Sequence, residues 1–170
     1  MKPSTIRHLL LEDTPVGQVL VVANGNAVSG VYLRAGKHYP DMSEVGPNAP
    51  FDDLLVAAGR ELAEYFVGER SEFGVPTKAQ GTEFQQIVWN ALRDIPYGDT
   101  WSYGDLAAAI GRPSASRAVG LANGKNPISI IVPCHRVIGA SGNLTGYGGG
   151  IENKKVLLEL ERSRLGSTLF

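Results

Sequence analysis

The chain has 170 residues, with 16 Lys and Arg against 17 Asp and Glu, three His, a single Cys and 43% apolar residues, enough to bury a core in at most two small domains. Collagen-like and disordered compositions are excluded, no apolar run reaches the length of a membrane span, and Met1-Lys2-Pro3-Ser4-Thr5 lacks the apolar stretch and cleavage site of a signal peptide, so a cytoplasmic protein with no membrane partner is expected. One cysteine cannot form an internal disulfide, and Cys134 with His8, His38 and His135 cannot complete a usual tetrahedral zinc site unless carboxylates join, which argues against metal.

From Thr5 to Arg34 the pattern predicts strands over Thr5–Leu11, Gln18–Val22 and Ala27–Leu33, with Asn24-Gly25 as a hairpin signal. A polar stretch bearing Pro and Gly runs from Ala35 to Pro50. A helix then fits Asp52–Phe66, with Leu55, Ala58, Leu62 and Phe66 on one side. This half shows no recognisable chemistry. Thr82 next caps a strongly periodic helix in which Phe84, Ile87, Val88, Ala91, Leu92 and Ile95 share a face, ended by Pro96-Tyr97-Gly98. The domain boundary is placed near Lys78, giving 1–78 and 79–170. Ser102-Tyr103-Gly104-Asp105 has a capping-box pattern and opens a short helix to Ile110; after the Gly111-Arg112-Pro113 turn a second runs from near Ser114 to Ala122, stopped by Asn123-Gly124. Two short helices joined by a tight turn read as a helix-turn-helix. A buried strand Ile128–Val132 follows, then Pro133-Cys134-His135-Arg136-Val137, a Gly-rich loop from Gly139 to Gly150, and a last helix over Ile151–Arg164. The fold class is α/β (α+β): a small sheet-and-helix domain followed by a mostly helical one.

Charge directs the search to the second half. Residues 1–80 hold 7 basic against 10 acidic side chains, residues 81–170 hold 9 against 7; the asymmetry is too small to establish nucleic-acid binding. Cys134 reads either as a small buried apolar residue or as a nucleophile at a strand end, with Arg136 or a protonated His135 lowering the thiol pKa. In an extended segment His135 points away from the sulfur and needs a bridging water or a bent backbone to reach it; a core histidine is the other reading. Glu161 shares the apolar face of the last helix with Leu157, Leu158 and Leu165, so it needs a partner, His135 or Arg136. The loop Gly142–Gly150 lets a ligand approach backbone closely, with Tyr147 as an aromatic wall.

The segment Asn126-Pro127-Ile128-Ser129-Ile130-Ile131-Val132-Pro133-Cys134-His135-Arg136-Val137 resembles the active-site signature of the O6-alkylguanine-DNA alkyltransferases. The similarity runs over about half the chain, through Gly81–Gln85, Ile95–Gly98, Ser102-Tyr103, Arg117–Gly120, the cysteine box and Tyr147 to Glu161. It implies that Cys134 accepts an alkyl group from O6 of guanine, and also from O4 of thymine, in double-stranded DNA. His135 would act as a water-mediated base, Glu161 would orient it and Asn126 would organise the cysteine segment. Arg117 would fill the space left by the extruded nucleotide and Tyr103 would push that nucleotide outward, with the helix-turn-helix in the minor groove. Ser102, Ser114, Ser116 and Ser141 would contact DNA; the flipped base would meet Tyr103, Tyr147 and the backbone of Val137, Gly148 and Gly149. Gly148 stands where many relatives carry serine, removing a hydroxyl donor to O6. With no second cysteine or general acid to release the thioether, the reaction would consume the protein. The resemblance implies no cofactor and a monomer that binds DNA alone or cooperatively. A non-catalytic lesion sensor would lack the cysteine, a helix-turn-helix regulator would read the major groove as a dimer, and a cysteine hydrolase would need an oxyanion hole.

Overall fold

A computed structural model of the chain describes residues 5–144 and 147–168, the last four by backbone alone. The N-terminal half is an antiparallel sheet in the order β1 (Ile6–Leu11), β2 (Val19–Asn24), β3 (Ala27–Leu33), with Val21 of β2 opposite Leu9 and Val31. Asn24 pairs with Ala27, so Gly25 and Asn26 form the turn, and Gly25 takes the positive φ of 61° that the first position of a type II′ hairpin requires. Helix α1 (Asp53–Phe66) packs on one face of this sheet. Its N-cap Asp52 accepts from the Leu55 amide and from Arg7 Nε at 2.7 Å, and it buries Leu55, Ala58, Leu62 and Tyr65 completely. The buried stripe therefore ends on Tyr65 rather than on the expected Phe66, which is only partly covered.

Helix α2 (Glu83–Leu92) begins on a full capping box, Thr82 Oγ1 accepting from Gln85 N while Gln85 Oε1 accepts from Thr82 N. The next unit is a two-residue strand β4 (Trp101–Ser102), then α3 (Tyr103–Ala109), a turn, and α4 (Ser116–Gly124). Ser102 caps α3 with Asp105 reciprocating, as the sequence pattern suggested. Asn123 and Gly124 do not stop α4 but form its last turn, because Asn123 is buried and its side-chain amide is used inward, donating to the Cys134 carbonyl at 3.4 Å. Strand β5 (Val137–Ile138) pairs parallel with β4, and α5 (Ile151–Thr168) closes the fold, with Leu157 and Leu158 buried at about 1.5–3 kcal/mol each.

The expected strand Ile128–Val132 does not form. Only its first residues engage the exposed edge of β3: Val31 N donates to Pro127 O at 2.9 Å and Ser129 N to Val31 O at 3.1 Å. After Ser129 the chain folds back on itself, Ile131 N reaching Ser129 O and Cys134 N reaching Val132 O. Apolar composition alone could not distinguish this buried turn from a buried strand. The core is continuous across the two halves, running from Val21 and Leu62 through Trp89 and Leu106 to Cys134 and Leu157. No helix among the described residues is long and apolar enough to cross a membrane.

Candidate active site at Cys134

The cysteine sits on a backbone bent by design of its neighbours. Asn126 Oδ1 accepts from Ile128 N at 3.1 Å and its Nδ2 donates to Val132 O at 2.9 Å, so one side chain staples both ends of the fold-back. Between these points Ile130 adopts φ 72°, the left-handed region that disfavours a β-branched residue; among the described residues it is the non-glycine found there. Such strain persists where surrounding bonds overdetermine the conformation, and it clusters at functional sites. Cys134–Arg136 then forms a single 3-10 turn rather than extended chain. Successive side chains in such a turn diverge by about 120° instead of pointing to opposite sides, which corrects the extended geometry expected for Cys134 and His135.

All three residues of that turn are buried, and α5 supplies their counter-charge. Glu161 has no exposed surface. Its carboxylate accepts from His135 Nε2 at 2.6 Å, Tyr65 Oη at 2.6 Å, Arg136 Nε at 2.8 Å and Nη2 at 3.3 Å, and Gly98 N at 3.1 Å. Burial alone would raise its pKa, but the bonds from His135 and Arg136 overcome this and hold it at about 2. An ionised carboxylate can only accept, so His135 donates through Nε2–H and Nδ1 carries the lone pair. That nitrogen is buried with no hydrogen-bond partner among the described residues. Burial pushes the His135 pKa down, against the pull of Glu161, which leaves the ring neutral and able to take a proton. Arg136 is committed to structure: its third contact goes to Ile95 O at 2.8 Å and its guanidinium lies over the Tyr97 ring.

Burial pushes the Cys134 thiol up, while the Asn126 amide and the Lys154 cation oppose that rise. Lys154 is fully buried on α5, donates to Val137 O at 2.5 Å, and has its own pKa brought down to about 8 by burial. Sequence reading missed it. The signal was present: Lys154, Leu157, Leu158 and Glu161 fall on one stripe at i, i+3, i+4 and i+7, so a charge at the first position sits as deep as one at the last.

A narrow cavity of about 20 Å³ opens beside Cys134, bounded by Asn126, Ser129, Tyr147, Gly148 and Gly149 and, from the other half, by Tyr32, Leu33, Gly36, His38 and Tyr39. The N-terminal half, in which the sequence shows no recognisable chemistry, borders the site through this wall and through Tyr65. Periodicity put Phe66 rather than Tyr65 on the buried stripe, and it could not show that the Tyr65 hydroxyl meets a carboxylate 96 positions away. Gly148 has a packing reason to lack a side chain, since a Cβ there would lie 2.9 Å from the Gly124 carbonyl at the end of α4.

The remaining predicted residues do not line the cavity. Tyr103 begins α3 with its ring against Gly120, where a Cβ would sit 3.5 Å from Tyr103 Cδ1. Ser114, Ser116 and Arg117 are exposed at the start of α4, and Ser141 is exposed in the loop before Tyr147. Ser102 has its oxygen accepting the Asp105 amide. Val137 is buried with its carbonyl taken by Lys154, outside the cavity lining. Thr145 and Gly146 of the Gly-rich loop lie outside the described residues.

Residues 6–79 match the family model of the 6-O-methylguanine DNA methyltransferase ribonuclease-like domain, and residues 83–163 match that of the DNA binding domain of the same family. A methylated-DNA–protein-cysteine methyltransferase of Mycobacterium tuberculosis strain H37Rv is 49% identical over 162 residues, covering 95% of this chain and 96% of the relative. One from Methanosarcina acetivorans is 47% identical, covering 89% and 96%. The crystal structure of Mycobacterium tuberculosis OGT in complex with DNA superposes with a TM-score of 0.85 at 47% identity, covering 94% of each chain.

Proposed function

The chain belongs to the 6-O-methylguanine DNA methyltransferase family, and on that premise we propose that it repairs double-stranded DNA by moving an alkyl group from O6 of guanine, or O4 of thymine, onto Cys134. The observation that carries this is the buried chain Cys134, His135, Glu161: a lone cysteine beside a small cavity, followed in the same turn by a neutral histidine whose Nε2 is locked onto a carboxylate at 2.6 Å.

His135 Nδ1 takes the thiol proton through a water, and Glu161 stabilises the imidazolium that results. The thiolate sulfur attacks the carbon bonded to the base oxygen. A carbon–sulfur bond forms as the carbon–oxygen bond breaks, and the base leaves with the electron pair on its oxygen, to be protonated as it returns to its keto form. Nothing in the site reverses the thioether, so each molecule acts once. Because Cys134 is only 4% exposed, the lesion must leave the stack to reach its sulfur. Arg117, exposed at the start of α4, fills the gap in the duplex, and Tyr103 at the start of α3 displaces the nucleotide. Ser102, Ser114, Ser116 and Ser141 offer hydroxyls to phosphates, and Tyr147 with the backbone of Gly148 and Gly149 meets the base. The reading also comprises two domains, 1–78 and 79–170, a monomer in solution, and a cytoplasmic location beside the DNA it acts on.

The test is intact mass after incubation with a duplex containing one O6-methylguanine, followed by peptide mapping. A gain of about 14 Da on Cys134, absent in Cys134→Ala, is expected for methyl transfer to the nucleophile. Tight lesion binding with no change in mass would overturn the transfer and leave a lesion sensor.

A further inference from the structure

The turn after β3 crosses from the N-terminal half to the acceptor cavity. Gly36 N bonds Leu33 O, and Lys37 N donates to Gly148 O, both at 2.8 Å. The cavity that these residues help to close, about 20 Å³, holds roughly one water. Outside it lies an open hollow of about 470 Å³ that runs along α4 past Gly120, Leu121 and Lys125. Four residues border both spaces: His38, Gly124, Tyr147 and Gly148. Two of these are glycines and Tyr147 is 5% exposed. His38, by contrast, is exposed, so its side chain can change rotamer without breaking a packed core. The main chains on either side cannot spread as easily, because Lys37 is bonded to Gly148 and Gly148 lies against Gly124 O.

We propose that His38 is a specificity-determining residue: standing at the threshold between the open hollow and Cys134, its imidazole limits the bulk of the O6-alkyl group that reaches the sulfur. A small group passes beside the ring, whereas a branched or aromatic one needs the ring displaced. The inference rests on the alkyl-transfer reading for its substrate, but the threshold itself is a property of the cavity. Two assays therefore accompany each other.

Wild type, His38→Ala and His38→Trp are compared for single-turnover rates on duplexes carrying O6-methylguanine or O6-benzylguanine. They are also compared, without DNA, for labelling of Cys134 by methyl methanethiosulfonate or by a bulky N-aryl maleimide. The benzyl-to-methyl ratio should rise by about tenfold in His38→Ala, the discrimination that steric fit in an apolar pocket supplies, and fall in His38→Trp; labelling should follow the same order. Ratios that stay equal among the three proteins in both assays overturn the proposal. If labelling follows the order while no protein transfers methyl, the threshold stands and the alkyl-transfer reading fails.

Discussion

Glu161 holds its charge with no exposed surface, and five donor contacts make that tolerable. Its folded pKa of about 2 lies below its ordinary 4.5. The stability it contributes is therefore fully present above pH 4.5 and is lost as the pH falls from there toward 2. Glu161→Gln removes the charge and leaves the Arg136 guanidinium buried without its counter-ion, which should cost about 3–5 kcal/mol in urea unfolding at neutral pH. The variant should also lose stability less steeply than wild type between pH 4.5 and 2; parallel curves would show that another carboxylate dominates acid unfolding. Lys154 acts on the thiol from the same helix. Lys154→Met keeps the buried volume and deletes the cation that opposes the effect of burial on Cys134, so the pH profile of Cys134 alkylation by iodoacetamide should move to higher pH. An unmoved profile would mean that the cation serves only to hold the Val137 carbonyl.

At the scale of elements, the fold-back from Asn126 to Cys134 is where strain and function meet. An Ile in the left-handed region costs about 1–2 kcal/mol, and the three Asn126 bonds to Ile128 and Val132 keep it there. Asn126→Ala leaves buried backbone groups unpaired, at about 1–3 kcal/mol for each group not rescued by water. It should destabilise the protein and slow methyl transfer more than a comparable destabilisation elsewhere, for example Thr82→Ala, which removes the cap of α2 at about 1 kcal/mol. Equal transfer rates in the two variants would show that the fold-back does not position the sulfur. The regular elements were readable because each has a local cause: Asp52, Thr82 and Ser102 cap helices, and Gly25 turns the hairpin. The fold-back was not, because Ile128–Val132 has the composition of a buried strand and what bends it is a side chain reaching two and six residues onward. The same limit applied to Asn123, whose type signals a helix end but whose buried amide is spent on the Cys134 carbonyl.

Across the whole molecule the surroundings of Cys134 are assembled from both halves, which is why the sequence disclosed part of the site but not the whole of it. Cys134, His135 and Glu161 could be named from one motif and one misplaced charge; Tyr65, Leu33 and His38 come from segments with no motif, brought in by the docking of residues 127–129 on the edge of β3, by the Lys37–Gly148 backbone bond and by the shared core. That docking makes the N-terminal half structural support for the site. Tyr65 Oη donates to Glu161 at 2.6 Å, and the apolar core passes without interruption from Leu62 and Val31 to Trp89 and Leu157. A shared core of this kind predicts one cooperative unit, although the chain is built from two family domains. Urea unfolding followed by the fluorescence of Trp89 and Trp101, both in the second half, should coincide with unfolding followed by far-UV circular dichroism, which includes the sheet. Tyr65→Phe should lower the common midpoint, since it strips one donor from a buried carboxylate at about 1.5–3 kcal/mol, without separating the two probes. Separate transitions, with only the fluorescence midpoint unaffected by Tyr65→Phe, would mean that residues 83–163 hold the acceptor geometry unaided and that the wall supplied by β3 and its following turn is dispensable to it.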